Sequence, residues 1–216
     1  MNNIIIAIQD GGVWMAPIIL SFVFALAIAA ERLFAILGAK SNGEEVFKLA
    51  DGAIKSGSSS NIGQLGQLAQ KGQVLPAVLH AGVKAMNRSI KEIETAMEEE
   101  TLNKFPNLLK RMPFLGMLAN IATLSGLLGT IVGLIEAFDA VANAAPDQKQ
   151  IMLAKGISKA MYTTAGGLVV AIPTLIMNSI LSAQITKIMD EVDHRASKFL
   201  NTVRANRREN AGEAAK

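Results

Sequence analysis

The side chains best placed for chemistry in this chain are hydroxyls set among glycines, and their spacing is regular. Within residues 112–135, which carry no charge, Ala119, Ala122, Gly126, Gly129 and Gly133 recur at steps of three and four. One face of a helix there would be nearly bare backbone, open to close approach by a second helix. Thr123 and Thr130 stand beside that face. Within residues 160–186, Ala160, Thr164, Gly167, Ala171 and Asn178 form a matching small and polar stripe, with Thr163 beside it. Pro173 withdraws the N–H that would bond the Val169 carbonyl, so a kink or a local polar spot is expected there. Hydroxyls so placed either bond their own helix backbone or line a polar seam shared by the two helices. They are not proton carriers by themselves. No Asp, Glu or His lies in residues 13–30, 112–135 or 160–186, so an acid that carries protons past the midplane must come from another chain or from the span ends. Glu136, Asp139, Lys155 and Lys159 sit at those ends and are candidate charges of an outer mouth.

The elements that hold these residues follow from composition. The chain has 216 residues, half of them hydrophobic, with 18% charged, 5% aromatic, 18 glycines and no cysteine. A soluble domain usually carries about a quarter of its residues as charges. The deficit points to a membrane, and small residues suit helices packed closely in lipid. Without cysteine there are no disulfides, thiolate ligands or thiol nucleophiles. His80 and His194 lack ligand spacing, so neither a metal site nor a cofactor is expected.

The uncharged stretches 13–30, 112–135 and 160–186 are each long enough to cross a hydrocarbon core, which needs about 20 apolar residues. Ala27-Ile28-Ala29 has the look of a signal-peptide cleavage site. No Lys or Arg precedes Arg32, however, so the basic region of a signal peptide is missing and the segment reads as a retained helix. Charge sets the orientation. Residues 40–111 hold ten Lys/Arg and residues 187–216 hold seven, whereas the segment before Val13 has none and residues 136–150 have only Lys149. By the positive-inside rule the N-terminus lies outside, and residues 40–111 and the C-terminus lie in the cytoplasm. Topology therefore accounts for the net charge of +3, and nucleic acid is not an expected partner. Membrane lipid is. Glu31 and Arg32 read as an anchor at the inner boundary.

In the cytoplasmic part, Val46, Phe47, Leu49, Ala50 and Ile54 have helical spacing and are followed by a flexible break over Ser56–Gly57–Ser58–Ser59–Ser60. Val83, Met86, Ile90, Ile93 and Met97 form a second amphipathic run, and Glu98, Glu99 and Glu100 a solvated face reaching Lys104. A stripe from Ile185 to Val203 continues the last helix past the membrane. The expected fold is an all-α membrane protein of three transmembrane helices, with the second and third extended into a cytoplasmic helical bundle. The expected segments are an N-terminal stretch 1–12, first span 13–39, cytoplasmic region 40–111, second span 112–137, outer connection 138–150, third span 151–186 and tail 187–216.

Two motifs in this order resemble a known family. The run LSGLLGTIVGL at residues 124–134 and the run GISKAMYTTAGGLVVAIP at residues 156–173 are similar to the second and third helices of the MotA/TolQ/ExbB proton channels. Three spans and short outer loops fit the ExbB/TolQ branch better than four-span MotA. The resemblance implies a homopentamer whose second and third helices line a pore in the bacterial inner membrane. The pore would hold the helices of two copies of an ExbD/TolR-like single-span partner, each bearing an aspartate. Proton flow would then do work through a TonB- or TolA-like protein that reaches the outer membrane. It also implies that Thr130 and Thr164 are pore threonines; Thr123 and Thr163 are taken with them as pathway candidates, and Gly126, Gly129, Gly133, Gly167, Ala171 and Pro173 are the packing seam read from the spacing. Many relatives have glutamate where this chain has Lys159, so proton entry by that glutamate does not carry over. Lys159 instead has a partner acid, Glu136 or Asp139 as possible mates. A sodium-driven stator and a structural scaffold are the alternatives. An enzyme is not expected, since there is no nucleophile–base pair, metal cluster or phosphate loop.

Overall fold

The computed structural model describes residues 12–213, all of whose regular elements are helical. The expected N-terminal stretch 1–12 thus lies, but for Gly12, outside the described residues, as do the last three residues of the tail. After a 3₁₀ turn at Gly12–Trp14 come α1 (Met15–Ala39), α2 (Gly43–Ser56), α3 (Ser59–Gln70), α4 (Val74–Lys84), α5 (Ile90–Leu109), α6 (Met112–Ala142) and α7 (Lys149–Glu213). Among the described residues, three helical stretches are long and apolar enough to cross a membrane: Gly12–Ser56, which contains α1, Ile90–Ala142, which contains α6, and Lys149–Ala211 of α7. The second helix runs five residues beyond position 137 and the third starts at Lys149, so the turn between them is confined to residues 143–148. The chain divides into two compact units, Met1–Glu31 with Arg111–Ile180, and Arg32–Lys110 with Leu181–Lys216.

In the first unit, small residues face inward and large apolar ones outward, the reverse of a water-soluble bundle. On α6 the buried face is Met112, Leu115, Ala119, Ala122, Gly126, Gly129, Gly133 and Ala137, while Leu124, Leu127, Ile131, Ile135 and Phe138 are exposed. On α7, Ala160, Val170 and Ala171 are buried, while Val169, Ile172 and Ile176 are exposed. Met15 and Ile18 at the head of α1 pack with Ala122 of α6 and Val170 of α7. Ser21, one turn on, donates its hydroxyl to the Pro17 carbonyl at 2.7 Å, which satisfies a polar group within an otherwise apolar helix.

In the second unit, α4 is buried along most of its length, from Val74 through Leu79 and again at Gly82 and Val83. A Cβ on Gly82 would come within 2.8 Å of both Met97 Sδ of α5 and Phe199 Cε1 of α7, so the three helices converge where that side chain is missing. Ile185, Ile188, Val192, Phe199, Leu200 and Val203 form the buried stripe of α7. Lys104 pairs with Glu100 at 3.6 Å, and Glu98 and Glu99 are exposed. The amphipathic run over residues 83–97 is not one helix. It is split by a turn after Lys84, because Ser89 accepts from the Glu92 N–H while the Glu92 carboxylate accepts from the Ser89 N–H, a capping box that starts α5 afresh. The expected serine break is also shorter than expected. Gly57 ends α2 in the left-handed region (φ 61°), and helix resumes at Ser59 with Ser58 as its N-cap residue. Arg32 is buried and donates to the carbonyls of Asn107 (2.9 Å) and Lys110 (3.0 Å). It thus satisfies acceptors at the C-terminal end of α5 that the helix leaves open.

A candidate ion-pathway seam

The seam between α6 and α7 is built from missing side chains. A Cβ on Gly167 would stand 2.7 Å from the Ala122 carbonyl oxygen and 3.2 Å from Gly126 Cα. One on Gly126 would stand 2.9 Å from the Thr163 carbonyl oxygen, and one on Gly133 would stand 3.1 Å from Ala160 Cβ. The two backbones therefore touch over several turns, as glycine faces permit. Gly156 extends the contact, since a Cβ there would collide with Ala137 Cβ. That residue lies one step of four before Ala160, so carrying the stripe one turn further would have found it.

Each threonine of the seam has a defined bond. Thr164 donates across the interface to the Gly126 carbonyl at 3.1 Å. Thr130 donates to the Leu127 carbonyl at 2.6 Å and Thr123 to that of Ala119 at 3.0 Å, both within α6. Thr163 is almost fully buried, packs where a Gly129 Cβ would sit and donates to the Ala160 carbonyl at 2.7 Å. Sequence reasoning passed over Thr174, which is fully buried and donates to the Val170 carbonyl at 2.8 Å. It is the polar spot next to Pro173, and α7 continues through that proline. Its signal was available: position 174 follows Ala171 by three, on the same stripe.

The charges expected at the mouth are partly assembled. Lys159 Nζ donates to Glu136 Oε2 at 2.6 Å, joining α7 to α6 through two half-exposed side chains. The pair lines an open cleft of about 350 Å³, together with Lys155, Ser158, Gly133, Ala137 and Gly156. Asp139 is not among the residues lining this cleft, and its backbone carbonyl accepts from the Asn143 amide at 3.2 Å. At the opposite end of the first unit, Glu31 of α1 pairs with Arg111, the non-glycine residue that precedes α6 with φ at 65°.

Among the described residues, three helices long and apolar enough to cross a membrane, two of them joined along a hydroxyl-bearing seam, give the architecture of a multi-pass membrane protein. Comparison with known proteins makes the class specific. Residues 70–194, more than half of the chain, match the sequence profile of the MotA/TolQ/ExbB proton channel family. Biopolymer transport protein exbB1 of Vibrio cholerae is 30% identical over 193 residues, which cover 86% of this chain and 82% of that one. The Tol-Pal system protein TolQ of Haemophilus influenzae is 30% identical over 126 residues, 58% of this chain and 48% of that one. The fold is also similar to a chain of C. jejuni MotAB, with a TM-score of 0.59 at 19% identity over 93% of this chain and 77% of that one. The chain belongs to the MotA/TolQ/ExbB proton channel family, on its ExbB/TolQ-like branch. That membership sets it among channel and stator proteins rather than enzymes.

Proposed function

We propose that this chain is an ExbB/TolQ-like stator and proton-channel subunit of the bacterial inner membrane. It works with an ExbD/TolR-like single-span partner that carries a membrane-embedded aspartate. Five copies of the chain surround two partner helices, and proton flow through the pore is converted into mechanical work passed to a TonB- or TolA-like protein. The N-terminus is periplasmic, the second unit and the tail are cytoplasmic, and Thr130 and Thr164 line the pore. The observation that carries this reading is the seam itself: hydroxyls and bare backbone line it, and residues 112–135 and 160–186 hold no acid. Such a pathway needs a carboxylate from elsewhere, and a protonated partner acid can cross apolar surroundings where a charged one cannot.

The test is proton flux in proteoliposomes holding this chain with a partner of that kind. Flux is expected with the wild-type partner and lost when its aspartate becomes asparagine. Thr130→Val with Thr164→Val should abolish flux while the complex stays assembled, and full activity of the double variant would remove the hydroxyls from the mechanism. A sodium-driven stator is the second reading, because hydroxyl and carbonyl oxygens also suit a hard cation. Flux that requires sodium would select it.

A further inference from the structure

The direction of the threonine hydrogen bonds restricts what the pathway can hold. A carbonyl oxygen has no proton, so a hydroxyl within hydrogen-bond distance of one must be the donor. Every threonine of the first unit is so engaged: Thr123, Thr130, Thr163 and Thr174 with carbonyls of their own helix, and Thr164 with Gly126 across the seam. Each hydroxyl has its single proton committed; Thr163 and Thr174 are buried, whereas Thr130 and Thr164 are only partly so and keep oxygen lone pairs to offer a visitor. We propose that the pathway threonines Thr130 and Thr164 act as hydrogen-bond acceptors, so that they stabilise the protonated, neutral form of a partner's carboxylic acid and not its carboxylate. This rests on the reading of the seam as the ion pathway and adds a direction to it.

A protonated acid offers one O–H donor and finds a lone pair waiting. A carboxylate offers only acceptors and could be bound only after a threonine broke its existing bond. The seam therefore favours the proton-loaded state at the membrane centre, where burial also disfavours charge. Among the described residues of the first unit no charged group competes there: its charges are Glu136 and Asp139 of α6, Asp147 in the turn, Lys149, Lys155 and Lys159 of α7, and Glu31 of α1 with Arg111, all beyond the uncharged stretches.

The sign of a pH shift tests the proposal. The complete complex, reconstituted in liposomes with an internal pH-sensitive dye, gives the pH midpoint at which the partner acid loads. Thr130→Val and Thr164→Val keep the shape and remove the acceptor. Each single replacement leaves the other hydroxyl to sustain flux and is expected to lower the midpoint by about 0.7 pH unit, the equivalent of one neutral hydrogen bond. Thr130→Ser and Thr164→Ser, which keep the hydroxyl, should restore the wild-type midpoint. If valine blocks assembly, alanine removes the same acceptor in a smaller space. A midpoint that rises would mean that the hydroxyls donate to the carboxylate, and an unmoved one that they touch neither form; either overturns the proposal. Flux set by sodium rather than pH also overturns it. A wild-type complex without any proton flux would overturn the channel reading itself, a result distinct from a shift of the wrong sign.

Discussion

Replacing Gly167 by alanine should cost stability although alanine is the better helix former. The added Cβ would lie 2.7 Å from the Ala122 carbonyl oxygen and 3.2 Å from Gly126 Cα. Both neighbours are backbone, so no side chain can turn away. Ordinary contact begins near 3.4 Å, so α6 and α7 must part by about 0.7 Å. A gap of about that size forfeits a quarter to a half of the dispersion attraction along the contact, and overpacking typically costs about 1–3 kcal/mol. The helix-propensity gain of about 0.5–1 kcal/mol offsets only part of a mid-range cost, which leaves a net loss of about 1 kcal/mol. Gly63→Ala is the control, because α3 has open space around that position, with nothing within 4 Å of the added Cβ. It should stabilise by about 0.5–1 kcal/mol. Unfolding of the purified protein in mixed micelles, titrated with sodium dodecyl sulfate and followed by circular dichroism, measures both. If Gly167→Ala matched or exceeded the wild type, close backbone contact would not be what holds α6 to α7.

Other perturbations test other parts of the structure. Lys159→Ala should destabilise by no more than about 1 kcal/mol, because both members of its pair with Glu136 are half exposed; a double-mutant cycle with Glu136→Ala gives the coupling. Ser89→Ala should cost about 1 kcal/mol by removing the cap of α5, read as an earlier denaturation midpoint. Hydrogen bonds from Ser89 hold the Glu92 carboxyl below its ordinary value. The stability tied to that group is therefore present above pH 4.5 and is lost as pH falls through the lowered value; the pH dependence of unfolding should flatten there in Glu92→Gln. Arg207→Ala removes the donor to the carbonyls of Met86 and Arg88, and faster amide exchange over residues 85–89 should report it.

The sequence was most legible where one rule acted alone. Absence of charge marked the membrane helices, and steps of three and four marked the faces on which Gly126, Gly129 and Gly167 meet, because close packing in lipid demands small residues there. Competing signals were harder to weigh. From Val83 to Met97 the apolar period ran on unbroken, and the local chemistry of Ser89 and Glu92 overrode it. Arg32 reads as an anchor at the inner boundary, and nothing local says that it also reaches carbonyls 75 and 78 residues away. The bond from Thr164 to Gly126 was hidden in the same way. Spacing places a hydroxyl beside a seam, but whether it donates along its own helix or across depends on how near the other backbone comes.

That nearness has a mechanical side. Side chains that interlock make ridges, and ridges resist sliding. The face where Gly126, Gly129, Gly133 and Gly167 join α6 to α7 has few of them, the main one being the Thr163 side chain seated in the notch at Gly129. Resistance to glide is then concentrated in that notch and in two polar stops, the Thr164 hydroxyl on Gly126 and the Lys159 ammonium on Glu136. To shift the register of such a pair, both bonds must be released and the Thr163 side chain must leave its notch.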